Sequence, residues 1–187
     1  MFALGVTTAA HRSASFGAMT VANDLLIDGF DRVRETVHEV VSGLDEDGLA
    51  FRPDGGANPV GWLVWHLTRI QDDHLADVAD SAQLWTAAGW VERFRLPYDV
   101  EATGYGQGSD EVGLLKVTAD MLTGYHDAVH QATADYLATL TDQDYPRVVD
   151  RRWDPPVTLA VRLVSVLNDA TQHAGQAAYV RGLLDRR

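Results

Sequence analysis

The stretch Asn168-Asp169-Ala170-Thr171-Gln172-His173-Ala174-Gly175-Gln176 lies inside a long apolar-periodic run from Leu159 to Leu184. Asp169 and His173 are four residues apart, so on a helix they stand one turn apart on one face. Leu163, Val166 and Val180 belong to or border that face, which therefore points toward a core. A carboxylate and an imidazole aimed inward are costly unless something pairs them, and one metal ion would serve both. A third ligand has to come from another helix. His66, in Gly61-Trp62-Leu63-Val64-Trp65-His66-Leu67, is the best candidate.

Three more runs share that helical period. The first extends from about Val21 to Ser42, with Leu25, Leu26, Phe30, Val33, Val37, Val40 and Val41 in phase. The second runs from Pro59 to about Ala79, with Asn58 as the expected cap and proline in the first turn. Trp62, Leu63, His66, Ile70 and Asp73 share its stripe. The third is expected from Asp110 to Leu140, capped by Ser109 or Asp110, with Leu115, Leu122, Tyr125, Val129, Ala132 and Tyr136 as its core face. The fourth is the Thr158–Leu184 segment. Four long amphipathic helices joined by strand-poor linkers give an all-α four-helix bundle. Asp80 to Ser109 is a long connection between helices two and three, which allows them to run parallel. Its Trp85, Trp90 and Phe94 indicate that it packs, and connections of this length often carry function.

Composition bounds the function. The 187 residues suit one domain, and 46% hydrophobic with 22% charged residues is ordinary for a globular chain. A net charge of −12 argues against nucleic acid and against an anionic membrane surface. No run approaches the roughly 18 apolar residues of a membrane span, and a cytoplasmic location is expected. There is no cysteine, so any thiol chemistry needs a thiol from outside. Residues 1–18 lack helical period and acidic residues. They read as a disordered extension before the bundle of residues 19–187, with Met19 as an alternative start.

Two imidazoles and one carboxylate on facing helices, His66, Asp169 and His173, would make a metal centre with open positions. The competing reading is a buried histidine beside a local ion pair. His126 and His130 also have ligand spacing, but they flank the expected core stripe and read as solvated; His11 and His38 read as exposed. Asp73 is nearly in line with His66, and His74 is rotated off that stripe. Arg162 and Gln176 bracket the Asp169–His173 pair. Arg162 would either hold a substrate carboxylate or form a structural ion pair. No Walker pattern, GxSxG or HExxH occurs.

At Asn58-Pro-Val-Gly-Trp-Leu-Val-Trp-His66-Leu, Trp153-Asp-Pro-Pro-Val-Thr-Leu and Asn168-Asp-Ala-Thr-Gln-His173-Ala-Gly-Gln, the chain resembles the DinB/YfiT-like metal-binding bundles. Within them it is most similar to the actinobacterial mycothiol-dependent maleylpyruvate isomerases and mycothiol transferases. The likeness spans roughly Val21 to Leu184. It implies a divalent metal, zinc first with nickel or iron as alternatives, held by His66, Asp169 and His173. It also implies mycothiol as thiol cosubstrate, a small electrophile, and a homodimer. The departure is at Asp169, where the thiol-dependent relatives usually carry glutamate. The expected activity is a transferase or isomerase in which the metal activates the thiol while Arg162 or Gln176 orients the electrophile. The alternatives are a metal-dependent hydrolase with Asp73 as base, and a non-catalytic binding bundle.

Overall fold

A computed structural model describes residues 20–187. The expected extension at residues 1–18, with His11 and Met19, lies outside the described residues. The first long helix, α1 (Val21–Val41), begins where the Thr20 side chain accepts the Asn23 N–H at 3.2 Å. A single turn, α2 (Glu46–Leu49), leads to α3 (Val60–Ala79). The expected Asn58 cap is not made. Pro59 itself occupies the capping position, without a side-chain bond.

The long connection holds three short helices, α4 (Leu84–Ala87), α5 (Trp90–Phe94) and α6 (Ser109–Val112). The third long helix, α7 (Ala119–Thr139), starts nine residues later than its apolar pattern suggests. Thr118, not Ser109 or Asp110, caps it by accepting the Met121 N–H at 3.3 Å. The cause lies in residues 115–118, which form no helix and alternate between buried and exposed. Leu115 and Val117 both turn inward and reach the face of Gly61, while Leu114 is exposed. Leu115 is thus inward without being helical, and the helical period begins only after Thr118. A two-stranded antiparallel hairpin, β1 (Val148–Asp150) and β2 (Val157–Thr158), then leads into α8 (Leu159–Leu184).

Helices α1, α3, α7 and α8 form the bundle. Asn23 donates to the Leu140 carbonyl at 2.9 Å, and Arg34 meets Asp127 at 2.7 Å, so α1 and α7 are antiparallel. Thr68 meets His126 and Gln71 meets Thr133, so α3 and α7 run parallel, as the long connection allows. His66 faces His173 while His74 faces Arg162, so α3 and α8 are antiparallel. Arg181 near the end of α8 donates to the Ser42 carbonyl at the end of α1, a parallel pair. The α3–α8 seam is the most extensive contact in the fold, and it carries the site. No helix among the described residues is long and apolar enough to cross a membrane.

The core face of α7 is rotated from the sequence expectation. Leu122, Tyr125, His126, Val129, Thr133 and Leu137 are buried, whereas Ala132 is exposed and Tyr136 only half-buried. Polar Thr133 and His126 face inward because Gln71 and Thr68 of α3 hydrogen-bond them.

The connection covers α3 and leaves residues 60–69 buried on all sides. The Asp72 carboxylate accepts the N–H groups of Leu84 at 2.9 Å and Trp85 at 2.7 Å, and the Tyr125 hydroxyl at 2.7 Å. Arg69, fully buried, donates to the Ala102 carbonyl and to Gln83. Trp85, Phe94, Trp90 and Tyr125 pack ring to ring beneath it. Burial of each large apolar side chain contributes about 1.5–3 kcal/mol, so this segment is a wall of the domain.

Candidate metal centre

His66 sits in the middle of α3 and is 5% exposed. Its Nδ1–H donates to the Thr103 carbonyl at 2.5 Å, and its ring stacks on Trp62 at 4.7 Å between centroids. Burial pushes the His66 imidazole below its ordinary value, and the Thr103 bond opposes that shift. The ring is therefore neutral at pH 7, with Nε2 as its free lone pair. The connection reaches His66 through Gly104, at φ +92°. A Cβ there would lie 2.7 Å from His66 Nδ1 and 2.9 Å from Trp62. Only glycine lets the backbone pass this close and place the Thr103 carbonyl on the ring.

His173 on α8 donates from Nδ1 to Gln176 Oε1 at 2.8 Å, which leaves its Nε2 3.6 Å from Asp169 Oδ1. The His66 and His173 rings stand edge to face, 4.7 Å apart. One ligand atom from each of His66, Asp169 and His173 falls within 4.8 Å of the others. Around a tetrahedral zinc at ~2.1 Å such atoms would be about 3.4 Å apart, so small side-chain movements close the set. Two details fit a cation. Both histidines have their outer nitrogen engaged, which aims the inner one. Among the described residues Asp169 Oδ2 is buried with no hydrogen-bond partner, a costly state for a carboxylate that a cation would relieve.

The other residues singled out by sequence are placed as follows. Gln176 orients His173 through the bond just described. Arg162 donates to Asp150 Oδ2 at 3.1 Å and lies 3.5 Å from His74. Arg152 and Arg162 hold the Asp150 carboxyl well below the usual carboxylate range. The Asp73 carboxylate accepts from Gln83 at 2.8 Å and lies 3.7 Å from His74. The α7 histidines do not converge. His126, expected at the solvated edge, is 1% exposed and bonds Thr68, while His130 turns to Asp31 at 2.7 Å. Burial holds His126 neutral, as the packing of α7 on α3 requires. His38, expected exposed, is half-buried against Asp127. Gly175 approaches no other helix.

Sequence reasoning did not find Thr103 or Gly104. The one local signal was a glycine inside the long connection, and nothing in it pointed to His66. Beside the triad lies a groove of about 670 Å³ lined by residues 53–58 and by α8 from Gln172 to Leu183.

The family model for mycothiol-S-transferases matches residues 25–186. The chain belongs to that family. A crystal structure of a conserved protein from Enterococcus faecalis has the same all-α, DinB-like fold, with a TM-score of 0.84 and 30% identity. The match covers 91% of this chain and 100% of that one. No curated protein matches the chain. The family's name supports a transferase role, and membership agrees with the resemblance drawn from the Trp62–His66 and Asp169–His173 segments.

Proposed function

We propose that this chain is a metal-dependent mycothiol S-transferase of the cytoplasm, with His66, Asp169 and His173 as the metal ligands. The observation that carries this reading is the convergence of two correctly oriented imidazoles on a carboxylate whose Oδ2 is buried and has no partner among the described residues. A divalent cation held there would supply Lewis-acid charge that favours the thiolate form of a neighbouring thiol.

The chain's residues set the rest. Thr103 and Gln176 fix the tautomers of His66 and His173, so both present Nε2. Trp62 covers one face of His66 and keeps water from it. With no cysteine in the chain, the sulfur comes from the cosubstrate. In the overall transfer, the thiol S–H bond breaks and the electrophile's leaving-group bond breaks as one S–C bond forms; the proton goes to solvent with the leaving group.

The test is conversion of mycothiol and monochlorobimane to the fluorescent adduct by protein loaded with zinc, nickel or iron, against metal-stripped protein. Metal-dependent adduct formation, lost in His173→Ala, is expected. Equal rates with and without metal would overturn the reading.

A further inference from the structure

Away from the metal centre, the outer face of the α1–α8 pair carries an uncovered aliphatic strip. Val21, Leu25, Val161 and Val164 are each more than half exposed. The two helices run parallel, and Gly29 sets their register, since a Cβ there would lie 2.7 Å from Leu167. Leu25, one turn before Gly29, therefore stands beside Val164, and Val21 beside Val161. The four side chains form one patch at the end of the bundle where α1 begins. Contiguous exposed apolar patches mark interaction sites.

The strip opens into a groove. A hollow of about 430 Å³ lined by Val161, Val164 and Asn168 is followed along α8 by one of about 310 Å³ at Gly29, Leu167 and Thr171. From Val161 to Gly175 the helix spans about 21 Å at 1.5 Å per residue. Among the described residues that line both hollows the only charge is Arg32, which Asp28 holds at 2.7 Å. On a chain of net charge −12 this face is nearly uncharged.

Residues 1–19 precede the patch in the chain and lie outside the described residues. None of them is acidic, although the chain has 27 Asp and Glu residues, and Arg12 is among them. Phe2, Leu4 and Val6 alternate with Ala3 and Gly5. In an extended strand those three side chains share one face over about 13 Å. Thr20 caps α1 directly beside Val21. Residues 7–19 can reach about 43 Å at 3.3 Å per residue, twice the length of the groove.

We propose that this groove is the docking site of the chain's own residues 2–6, with Phe2, Leu4 and Val6 set against the aliphatic strip. Tethering favours this occupant, because a linked segment acts at roughly millimolar effective concentration. Charge favours it over a second copy. A copy would bring its own net charge of −12 to the face, whereas the segment brings no acid and one arginine to a surface flanked by Asp24 and Asp28. Docking covers the strip and keeps it from pairing with other chains. The assignment is independent of the metal and of the transferase reading.

The test uses the full chain with Val164→p-benzoylphenylalanine, an exposed position, prepared at natural abundance and labelled with 15N. The two preparations are mixed in equal parts, irradiated and digested with trypsin, which releases residues 1–12 as one peptide. Position 164 is expected to cross-link to that peptide, in isotopically matched pairs. Adding Phe2→Ser, Leu4→Ser and Val6→Ser should lower the yield about tenfold, the effect of losing part of one buried aliphatic side chain. These substitutions leave residues 20–187 untouched. Mixed-isotope pairs would assign the face to a second copy and overturn the proposal. Products lacking residues 1–12, or a yield unchanged by the three serines, would overturn it as well.

Discussion

His173 and Gly104 illustrate how single positions make the site. His173→Ala removes one of three ligands and should abolish stoichiometric metal, whereas His126→Ala should retain it, since His126 bonds Thr68 on another face of α3. Metal analysis of the purified variants by mass spectrometry checks this. The reverse pattern would move the centre to α7. Gly104→Ala introduces a methyl group 2.7 Å from His66 Nδ1 at a left-handed φ of +92°. The Thr103 carbonyl should be displaced, and metal affinity should drop about 10–100-fold, the usual cost of losing the group that orients a histidine ligand. Gln176→Ala should weaken metal by a similar factor through His173, with little effect on stability, because Gln176 is exposed. Competition with a chelating dye reads both.

At the scale of elements, the Asp72 carboxylate is one of several groups of α3, with Arg69, His66 and Asp73, that tie down the connection from Asp80 to Thr118. Asp72 holds two backbone N–H groups at the start of α4 and the Tyr125 hydroxyl of α7, and stands 3.8 Å from buried Arg69. Asp72→Ala leaves those donors and the Arg69 charge unsatisfied in the interior. A loss of about 3–5 kcal/mol in urea unfolding is expected. A loss under 1 kcal/mol would show that the aromatic cluster and the other hydrogen bonds to α3 hold the connection without Asp72. Because the same connection carries Thr103, the variant should also lose metal affinity.

Across the whole molecule, acid sensitivity should be set in part by His126. Burial lowers its pKa from the ordinary 6.5 to about 3, with the nearby His130 charge acting the same way. Between those values the unfolded chain binds a proton that the folded one refuses. The stability from neutral His126 is thus fully present above about pH 6.5 and is lost as pH falls toward 3, at up to ~1.4 kcal/mol per pH unit. His126→Leu, which keeps Thr68 bonded to the Val64 carbonyl, should flatten this part of the profile between pH 6.5 and 4.5. An unchanged slope in denaturant titrations would assign the acid limb to other groups, such as buried His66 and half-buried His74, whose pKa values burial also lowers.

The sequence by itself determined the four-helix class and the pairing of Asp169 with His173. Both are local: apolar period and i, i+4 spacing fix them through backbone geometry alone. It located α1, α3 and α8 to within a residue or two, and named His66, because one strong stripe marks each element. The tertiary structure decided where α7 begins, since Leu115 and Val117 pack inward against the open face of Gly61 on α3 instead of continuing a helix. It also decided which face of α7 is inside, because His126 and Thr133 are admitted to the core by partners on α3. The groups that aim His66 are of the same kind. Thr103 is 37 residues away from it in the chain, and no periodicity links a carbonyl in a loop to an imidazole on a helix. Only the packing of the connection over α3 brings them into contact.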